Sequence, residues 1–475
     1  MSELFMILVF LAAAVVVVAK IEIAGILGFI VLMAFLLIVC DDVIVTTLPF
    51  MLVCCFAAKC KGSYNTFVSL WWVVIFIVFA FVFHFIYYRN QKDYSRGKSF
   101  WSILIVSIVV TLGGVGIITA KEYFAGVSLL YIFGLGFGIL GSYWLMNASF
   151  KPSDKYDFSD RFAKIMVLTA VFGCFMILHH YIIHMDTFLA NPRILQFQWR
   201  NNLSTMIMLT MPFAFYLSVK KTPYFLFGLF CYICLLLSGS RGGMMFGGIE
   251  LLICIIVLII VDKKKRNLNL SIIGTMVILG LVLVPDLKDL LAKTLERFAS
   301  FKENKIRLGL FERAIEDFKS NPLFGRGLGY FGNRDIHKSV KGALCWYHST
   351  PFQIIGSFGI AGIFAYLYQY FTRIKIFLCN RKSFFNISII IAYCGVEMMS
   401  LVNPGVFSPV YLFIVTMFFV IIEKCSTQKD IDEYARIRVG GIEEVKSELQ
   451  EEIKSELPEE NKTELFESAD ESNKK

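Results

Sequence analysis

Residues 286–348 read DLKDLLAKTLERFASFKENKIRLGLFERAIEDFKSNPLFGRGLGYFGNRDIHKSVKGALCWYH, with long apolar runs on either side. This stretch is the longest hydrophilic interruption before the C-terminal tail. Its composition predicts two short amphipathic helices, then a Gly-rich turn, then a return to apolar sequence at Tyr347-His348-Ser349. The stretch carries Arg307, Arg313, Arg326, Arg334, His337 and His348. The apolar runs on either side of this stretch determine the predicted fold of the rest of the chain.

The chain has 475 residues, of which 57% are hydrophobic and only 17% are charged, with a mean hydropathy of +0.67. Soluble domains are about half apolar and about one quarter charged. The apolar runs in this chain are long enough to span a membrane, which predicts an all-α polytopic membrane protein. The formal net charge of +9 lies mainly in short loops between apolar runs, so it does not indicate nucleic-acid binding.

Hydropathy predicts about 14 transmembrane helices, within a range of 12–14. The apolar segments lie near 4–19, 22–40, 43–58, 66–88, 99–119, 123–146, 162–184, 203–219, 222–238, 243–261, 269–285, 351–371, 384–402 and 406–422. The first of them lacks the basic region of a cleavable signal peptide, so we read it as a span.

Lys and Arg are concentrated in alternate connectors, which predicts that both termini are cytoplasmic. The Lys/Arg-rich connectors are 89–98, 151–164, 220–221, 263–266 and 373–382. The same alternation places residues 286–348 on the outer face. The predicted organisation is helices 1–11 over 1–285, one large extracytoplasmic loop over 286–350, helices 12–14 over 351–424 and a solvated acidic tail over 425–475.

Arg241 is the sharpest single candidate, because it lies at a membrane boundary within Ser238-Gly239-Ser240-Arg241-Gly242-Gly243. An arginine placed there either snorkels to headgroups or binds an anion. The surrounding Ser and Gly residues favour anion binding. If Gly242 and Gly243 open a helix, they also present free N–H groups at its positive end.

Within the loop, apolar residues of 306–319 follow helical spacing, at Leu308, Phe311, Ala314, Ile315 and Phe318. Arg307 is expected near the start of this helix, where the dipole has no need of a cation. Asn321-Pro322 followed by Gly325-x-Gly327-x-Gly329 predicts a helix stop and a turn. No strand precedes these glycines, which excludes a dinucleotide-binding fold.

His348 lies at the junction of loop and membrane, just before Pro351, which suits the start of a helix. It is either an amphipathic anchor or the natural general base of the site. Glu312, Glu316 and Asp317 share one short helix, and surface pairing explains them better than a metal site does.

Structural roles explain the other polar residues in the apolar segments at least as well as functional ones. His180 and His184, next to His179, have metal-ligand spacing, but interfacial anchoring is preferred to zinc. Cys231-x-x-Cys234 lies within a predicted helix and is read as small apolar packing. Cys345 stands alone in the loop, so no disulfide is expected within it. The intramembrane residues Glu250 and Glu397 are functional candidates by default, but pairing accounts for them equally well and they are left out of the catalytic set.

Four pieces of the sequence together resemble the O-antigen ligase and polymerase superfamily. They are SGSRGG, R-x-x-x-F-E-x-A, NPLFGRGLGYF and YHS-x-x-x-Q-x-x-x-x-x-GI-x-G, in this order between Gln198 and Leu367. Two departures from the family pattern are Phe311, where the family often has Trp, and Ser349, where it often has Asn.

The resemblance implies a metal-independent, GT-C-like glycosyltransferase with no cofactor, whose donor is a glycan on a polyprenyl diphosphate at the outer leaflet. It implies that Arg241 and Arg307 bind the diphosphate, with Arg326 and Arg200 as further candidates, and that His348 is catalytic. Bidentate guanidinium groups suit a diphosphate leaving group, and a neutral imidazole suits removal of the acceptor proton.

The leading functional hypothesis is polymerisation of lipid-linked repeat units, with inversion at the anomeric carbon. The alternatives are a ligase that transfers the finished glycan to a lipid core or a protein, and a lipid-linked oligosaccharide flippase. The long charged loop and the lack of a visible internal repeat argue against the flippase. Expected partners are the donor, a glycan or lipid acceptor, the membrane and chain-length or assembly proteins.

Overall fold

The computed structural model describes residues 3–41, 43–60, 72–113, 132–150, 158–190, 194–195, 200–280, 282, 301–328, 346–381, 383–403 and 407–424. Every regular element within these ranges is a helix, in agreement with the all-α prediction. Residues 286–300, where the first amphipathic helix is expected, lie outside the described residues. So do residues 329–345 and the predicted tail over 425–475.

The helices are numbered here in chain order. They are α1 Glu3–Val18, α2 Glu22–Val39, α3 Val43–Cys60, α4 Val73–Tyr87, α5 Phe100–Gly113, α6 Phe137–Ser149, α7 Phe158–Ile183, α8 Met185–Ala190, α9 Arg200–Ser218, α10 Pro223–Leu237, α11 Arg241–Val261, α12 266–280, α13 Phe301–Ser320, α14 Thr350–Asn380, α15 Phe384–Ser400 and α16 Pro409–Lys424.

Each of the fourteen predicted apolar segments overlaps one of these helices. Among the described residues, α7, α11 and α14 are long and apolar enough to cross a membrane by length and composition, and several shorter helices are also apolar. These features agree with a helical membrane protein. The count of 14 spans stays a prediction.

Helix α9 lies at the centre of the bundle. All of its residues from Leu203 to Phe215 are buried, and it packs against α7, α10, α11 and α15. Polar side chains on α9 bond back into the helix, as Thr210 Oγ1 does to the carbonyl oxygen of Met206 at 2.9 Å. A helix enclosed on all sides gives its first residue, Arg200, a fixed position.

Side-chain contacts show which helix ends share one face of the bundle. Lys164 of α7 pairs with Glu3 at the start of α1, and Lys220 Nζ lies 3.2 Å from Asp160 Oδ1 at the start of α7. Lys265 Nζ donates to two carbonyl oxygens at the end of α9, at 2.8 and 3.1 Å. These residues belong to connectors that the charge pattern places together.

The opposite ends of the same helices also meet. Tyr181 of α7 donates its hydroxyl to the carbonyl oxygen of Leu237, the last residue of α10, at 2.9 Å. Tyr411 of α16 donates to the carbonyl oxygen of Asn202 in α9 at 2.7 Å. These contacts fit the predicted alternation of direction for α7, α9, α10 and α16. The topology of the whole chain, with the first face cytoplasmic, stays a prediction.

Candidate functional site

The Arg241 turn is built by a helix cap. Ser240 precedes α11, and its Oγ accepts the N–H of Gly243 at 3.1 Å while donating to Asn201 Oδ1 at 2.9 Å. A serine cap of this kind satisfies one of the unpaired amides at a helix start. The expectation that Gly242 and Gly243 open a helix is met, since α11 begins at Arg241. The expectation of a free Gly243 amide is wrong, because the cap occupies it.

Small residues bring α11 into contact with α9. A Cβ on Gly243 would lie 2.6 Å from Ser204 Cβ, a distance that no side chain tolerates. Ser204 Oγ and Ser238 Oγ are 2.9 Å apart, and both residues are buried. The Ser/Gly pattern therefore serves close helix packing as well as capping.

Arg200 and Arg241 are the first residues of α9 and α11, and both side chains are half-buried. The bond from Ser240 to Asn201 joins the two helix starts directly. Two positive helix ends and two guanidinium-bearing residues are thus held at adjacent positions, an arrangement that favours an anion.

Helix α13 carries Arg307 and is longer than the sequence predicts. It begins at Phe301, so Arg307 lies in its second turn and not near its start. Its buried residues include Leu310, Ala314 and Asp317, spaced four and three residues apart. Phe311 stacks on Phe352 of α14, with ring centroids 4.1 Å apart and an interplanar angle of 4°.

The apolar spacing of α13 is helical as predicted, but the helix buries a different face from the one predicted. Leu308 and Ile315, expected on the apolar face, are 56% and 40% exposed. The helix docks through Ala314, which the prediction included, and through Leu310, which it did not. Arg307 is half-buried. It lies on α13, and the turn that carries Arg326 follows this helix directly.

Helix α14 is broken at Gly359, which has φ +60° and ψ −150°. A break of this kind removes backbone hydrogen bonds within a helix. The turn that follows α13 replaces them. The N–H groups of Ile360 and Ala361 donate to the carbonyl oxygens of Pro322 and Leu323 at 2.8 and 3.1 Å.

Hydrogen bonds also run in the other direction. The N–H groups of Arg326 and Gly327 donate to the carbonyl oxygens of Gly356 and Ser357 at 2.9 and 3.0 Å. The turn 321–328 and the broken segment 356–361 therefore form one hydrogen-bonded unit. The predicted stop after α13 is present, since the helix ends at Ser320.

Glycine is required on both sides of this unit. Gly325 has φ +64°, and a Cβ there would lie 2.4 Å from the carbonyl carbon of Ser357. A Cβ on Gly359 would lie 2.3 Å from the carbonyl oxygen of Pro322. Two motifs that are 34 residues apart (359 − 325) are thus parts of a single structure, and their backbone contacts fix the position of Arg326.

Asp317 connects this unit to the residues around His348. Its Oδ2 accepts a hydrogen bond of 2.6 Å from the Tyr347 hydroxyl, and its Oδ1 lies 3.8 Å from Arg326 Nε. Burial raises the pKa of Asp317, while the Tyr347 hydroxyl and the Arg326 charge oppose that rise. Glu316 pairs with Arg313 at 3.2 Å as expected. Surface pairing is wrong for Asp317, which is only 4% exposed.

His348 has a backbone conformation that is rare for a residue with a side chain. Its φ is +56°, and its side chain is half-buried. Buried Ser349 and Thr350 follow, and α14 begins at Thr350 with Pro351 in its first turn, as predicted. Non-glycine residues with positive φ are uncommon and often occur at functional positions.

The Arg241 turn and the His348 junction contact two nearby parts of the chain, 399–403 and 407–411. A Cβ on Gly242 would lie 3.0 Å from both Met399 Sδ and Val402 Cγ2. Phe407 packs against Trp346, with ring centroids 6.3 Å apart. Positions 402 and 407 differ by five in the sequence, so their Cα atoms are at most about 18 Å apart. The two halves of the candidate site therefore pack against residues that are close in the chain.

The two intramembrane carboxylates outside this site differ. Glu397 accepts a hydrogen bond of 3.1 Å from Tyr370 and lies 3.5 Å from Arg373, as the pairing alternative predicts. Glu250 is fully buried against Gly395, and neither of its carboxylate oxygens has a hydrogen-bond partner among the described residues, so pairing does not account for it.

The cysteine pair packs within the bundle, whereas His180 is half-buried and His184 is exposed. Cys231 and Cys234 are fully buried, as expected for packing residues. The rings of His180 and His184 are 4.7 Å apart. Within the described ranges, no group of three or more His, Cys, Asp or Glu side chains could hold a metal ion.

Sequence reasoning missed Asp317, Tyr347 and Gln353 as a connected set. One pattern could have found Asp317: it continues the spacing of Leu310 and Ala314 into the buried face, where a carboxylate needs a partner. Gln198, Trp199, Arg334, His337 and Cys345, which the sequence singled out, lie outside the described residues.

The fold and site define a helical membrane protein whose cationic and titratable residues lie at helix starts and on the turn 321–328, which is hydrogen-bonded to the broken helix α14. A family comparison narrows this class. Residues 225–367 match the O-antigen ligase family model, so the resemblance to the O-antigen ligase and polymerase superfamily is confirmed over this part of the chain. The match includes Arg241, Arg307, Arg326 and His348, whereas Arg200 precedes it. No curated protein and no solved structure matches the chain.

Proposed function

We propose that the protein polymerises polyprenyl-diphosphate-linked oligosaccharide repeat units into a surface polysaccharide. Membership in the O-antigen ligase superfamily supports transfer of a lipid-linked glycan within a membrane. The observation that carries the proposal is that the Arg241 turn packs against Met399 and Val402, while Trp346, two residues before His348, packs against Phe407 a few residues further along the chain. One lipid-linked substrate can engage both halves only if they are neighbours.

Arg241 and Arg200 bind the donor diphosphate in this proposal. A diphosphate carries several negative charges, and guanidinium groups contact its oxygens in a bidentate manner. The starts of α9 and α11 add positive helix ends at the same place. These interactions strengthen as the sugar–phosphate bond breaks, because charge develops on the leaving diphosphate.

Arg307 and Arg326 complete the cationic set from the other side of the site. Arg307 lies on α13, which docks on α14 through the Phe311–Phe352 stack. Arg326 is held by backbone bonds to α14, and its Nε faces Asp317 at 3.8 Å. Arg326 therefore has a structural contact that limits how its guanidinium group reaches a diphosphate.

His348 acts as the general base. The acceptor hydroxyl oxygen attacks the anomeric carbon of the donor, the bond from that carbon to the diphosphate oxygen breaks, and the hydroxyl proton moves to neutral His348. Attack opposite the leaving group inverts the anomeric centre. The mechanism uses no metal, since guanidinium groups supply the positive charge. In the proposed topology the site faces the outer leaflet and both termini are cytoplasmic.

A ligase that transfers the finished glycan to another acceptor uses the same residues, and a flippase uses none of this chemistry. The test uses the full-length protein, purified and supplied with a synthetic polyprenyl-diphosphate-linked repeat unit. A polymerase yields a ladder of products on a gel. Product only when a different lipid or protein acceptor is added identifies a ligase, and translocation in proteoliposomes without a new glycosidic bond identifies a flippase.

Variants of the proposed base, His348, and of Arg241, which is proposed to bind the diphosphate, test the mechanism in this assay. Removing a general base lowers rates by about a hundredfold or more, so His348→Ala is expected to lose the ladder. Arg241→Lys keeps the charge but loses bidentate contact and is expected to bind donor more weakly. His184→Ala and Arg266→Ala are matched controls outside the site. Undiminished product from His348→Ala removes the base from the mechanism.

A further inference from the structure

Tyr347 is fixed from three directions. Its hydroxyl donates to Asp317 Oδ2 at 2.6 Å, and its backbone N–H donates to Gln353 Oε1 at 3.0 Å. Its ring lies on the backbone of Gly356, where a Cβ would come within 2.9 Å of the ring. Tyr347 is 3% exposed. Side chain and backbone of this residue are therefore both held.

The partners of Tyr347 are themselves held. Gln353 Nε2 donates to Ser357 Oγ at 2.8 Å, which orients the amide so that its oxygen faces Tyr347. Asp317 belongs to the buried face of α13 and also faces Arg326. The contacts thus come from α13, the Gly-rich turn and the first two turns of α14.

His348 follows Tyr347 directly and has φ +56°. A left-handed conformation is unfavourable for a residue with a Cβ and persists only where its surroundings hold it. Tyr347 is held on one side of His348, and the start of α14 holds the other. The direction of the imidazole thus depends on these two anchors.

We propose that Asp317 and Tyr347 are positioning residues, which hold His348 in its left-handed conformation so that its imidazole faces the acceptor. This inference rests on the proposed role of His348 as general base. Neither residue reacts. Asp317 acts through Tyr347, and its second oxygen links the same structure to Arg326.

Activity measurements distinguish a positioning role of Tyr347 and Asp317 toward His348 from a role that only docks α13 on α14. Tyr347→Phe removes only the hydroxyl, and the expected result is a fall in kcat of about tenfold or more with an unchanged KM for donor, as displacement of a catalytic group produces. Asp317→Asn retains an acceptor oxygen for Tyr347 and is expected to keep most activity, whereas Asp317→Ala falls with Tyr347→Phe.

Phe311→Leu is the matched control, because the Phe311–Phe352 stack also joins α13 to α14 but does not touch Tyr347. It is expected to retain kcat. If Phe311→Leu lowers kcat as much as Tyr347→Phe at a similar loss of thermal stability, docking alone explains the effect and the proposal is wrong.

A second measurement does not depend on catalysis. Diethyl pyrocarbonate modifies accessible imidazoles, and mass spectrometry gives the rate at His348, with His184 as internal reference. Loss of the Tyr347 hydrogen bond is expected to change the His348 rate about fivefold, the population change that one hydrogen bond supports. Phe311→Leu leaves the rate unchanged.

The two measurements also separate the two proposals. If the wild-type protein forms no glycosidic bond while Tyr347→Phe changes the His348 modification rate, the proposed function fails and the positioning contact stands. If the protein is active and neither kcat nor the modification rate responds to Tyr347→Phe and Asp317→Ala, the positioning proposal is overturned.

Discussion

The contact between the broken helix α14 and the turn after α13 is tested by Gly359→Ala. At φ +60° and ψ −150°, alanine is disfavoured by about 1–3 kcal/mol. Its Cβ would also displace the Pro322 carbonyl, which lies 2.3 Å from the Cβ position. The bonds to Ile360 and Ala361 then weaken, at a net cost of about 1–3 kcal/mol for both. The expected destabilisation of this unit is about 2–6 kcal/mol.

Hydrogen exchange of the purified protein measures this loss locally. The amides of Arg326 and Gly327, which bond to α14, are expected to exchange about thirtyfold faster or more in the variant, since about 2 kcal/mol corresponds to that factor. The matched control is Gly28→Ala in α2, where a Cβ meets open space. Unchanged protection of Arg326 and Gly327 in Gly359→Ala would refute the reasoning.

Three further predictions concern contacts elsewhere. Asn201→Ala removes the acceptor of Ser240 and is expected to weaken binding of a labelled polyprenyl diphosphate about fivefold, measured by titration; equal affinity contradicts this. Glu423→Ala removes the acceptor of the Tyr143 hydroxyl and of the amides before α5, and a drop of about 2–3 kcal/mol in stability is expected by thermal unfolding. Because burial raises the pKa of Asp317 above 3.8, its contribution to stability is present below that value and is lost as pH rises through the folded-state pKa. The stability of Asp317→Asn relative to wild type should therefore increase as the pH rises above 3.8, and a constant difference contradicts this.

The helices were predictable because apolar runs of sufficient length have few alternatives to a helix in a membrane. The end of α13 was predictable from Asn321-Pro322, and the start of α14 from Pro351, since proline acts locally. These features depend on a few neighbouring residues. The charges of the connectors likewise predict an alternation of helix direction, and the contacts between the ends of α7, α9 and α10 agree with it.

The remaining features depend on contacts between distant residues. Gly359 breaks α14, and only the structure shows that Pro322 and Leu323 accept the amides released there. Asp317 was interpreted as a surface residue because Glu316 beside it does pair at the surface, although the spacing of Asp317 from Leu310 and Ala314 places it on the buried face. Arg307 was misplaced relative to its helix because the helix was predicted from its apolar spacing, which begins at residue 306. The capping-box pattern Ser300-x-x-Glu303, which marks an earlier start, was not used.

Three of the five candidate residues share one structural property. Arg200 and Arg241 begin α9 and α11, and His348 lies two residues before α14. Each of these helix starts offers a positive dipole end, where an anion is favoured by about 0.3–1 kcal/mol. The bond from Ser240 to Asn201 joins the first two, and the packing of Phe407 on Trp346 brings in the third. A diphosphate held among them would be stabilised by fixed backbone dipoles as well as by guanidinium groups, and these dipoles need no rearrangement as charge develops on the leaving group.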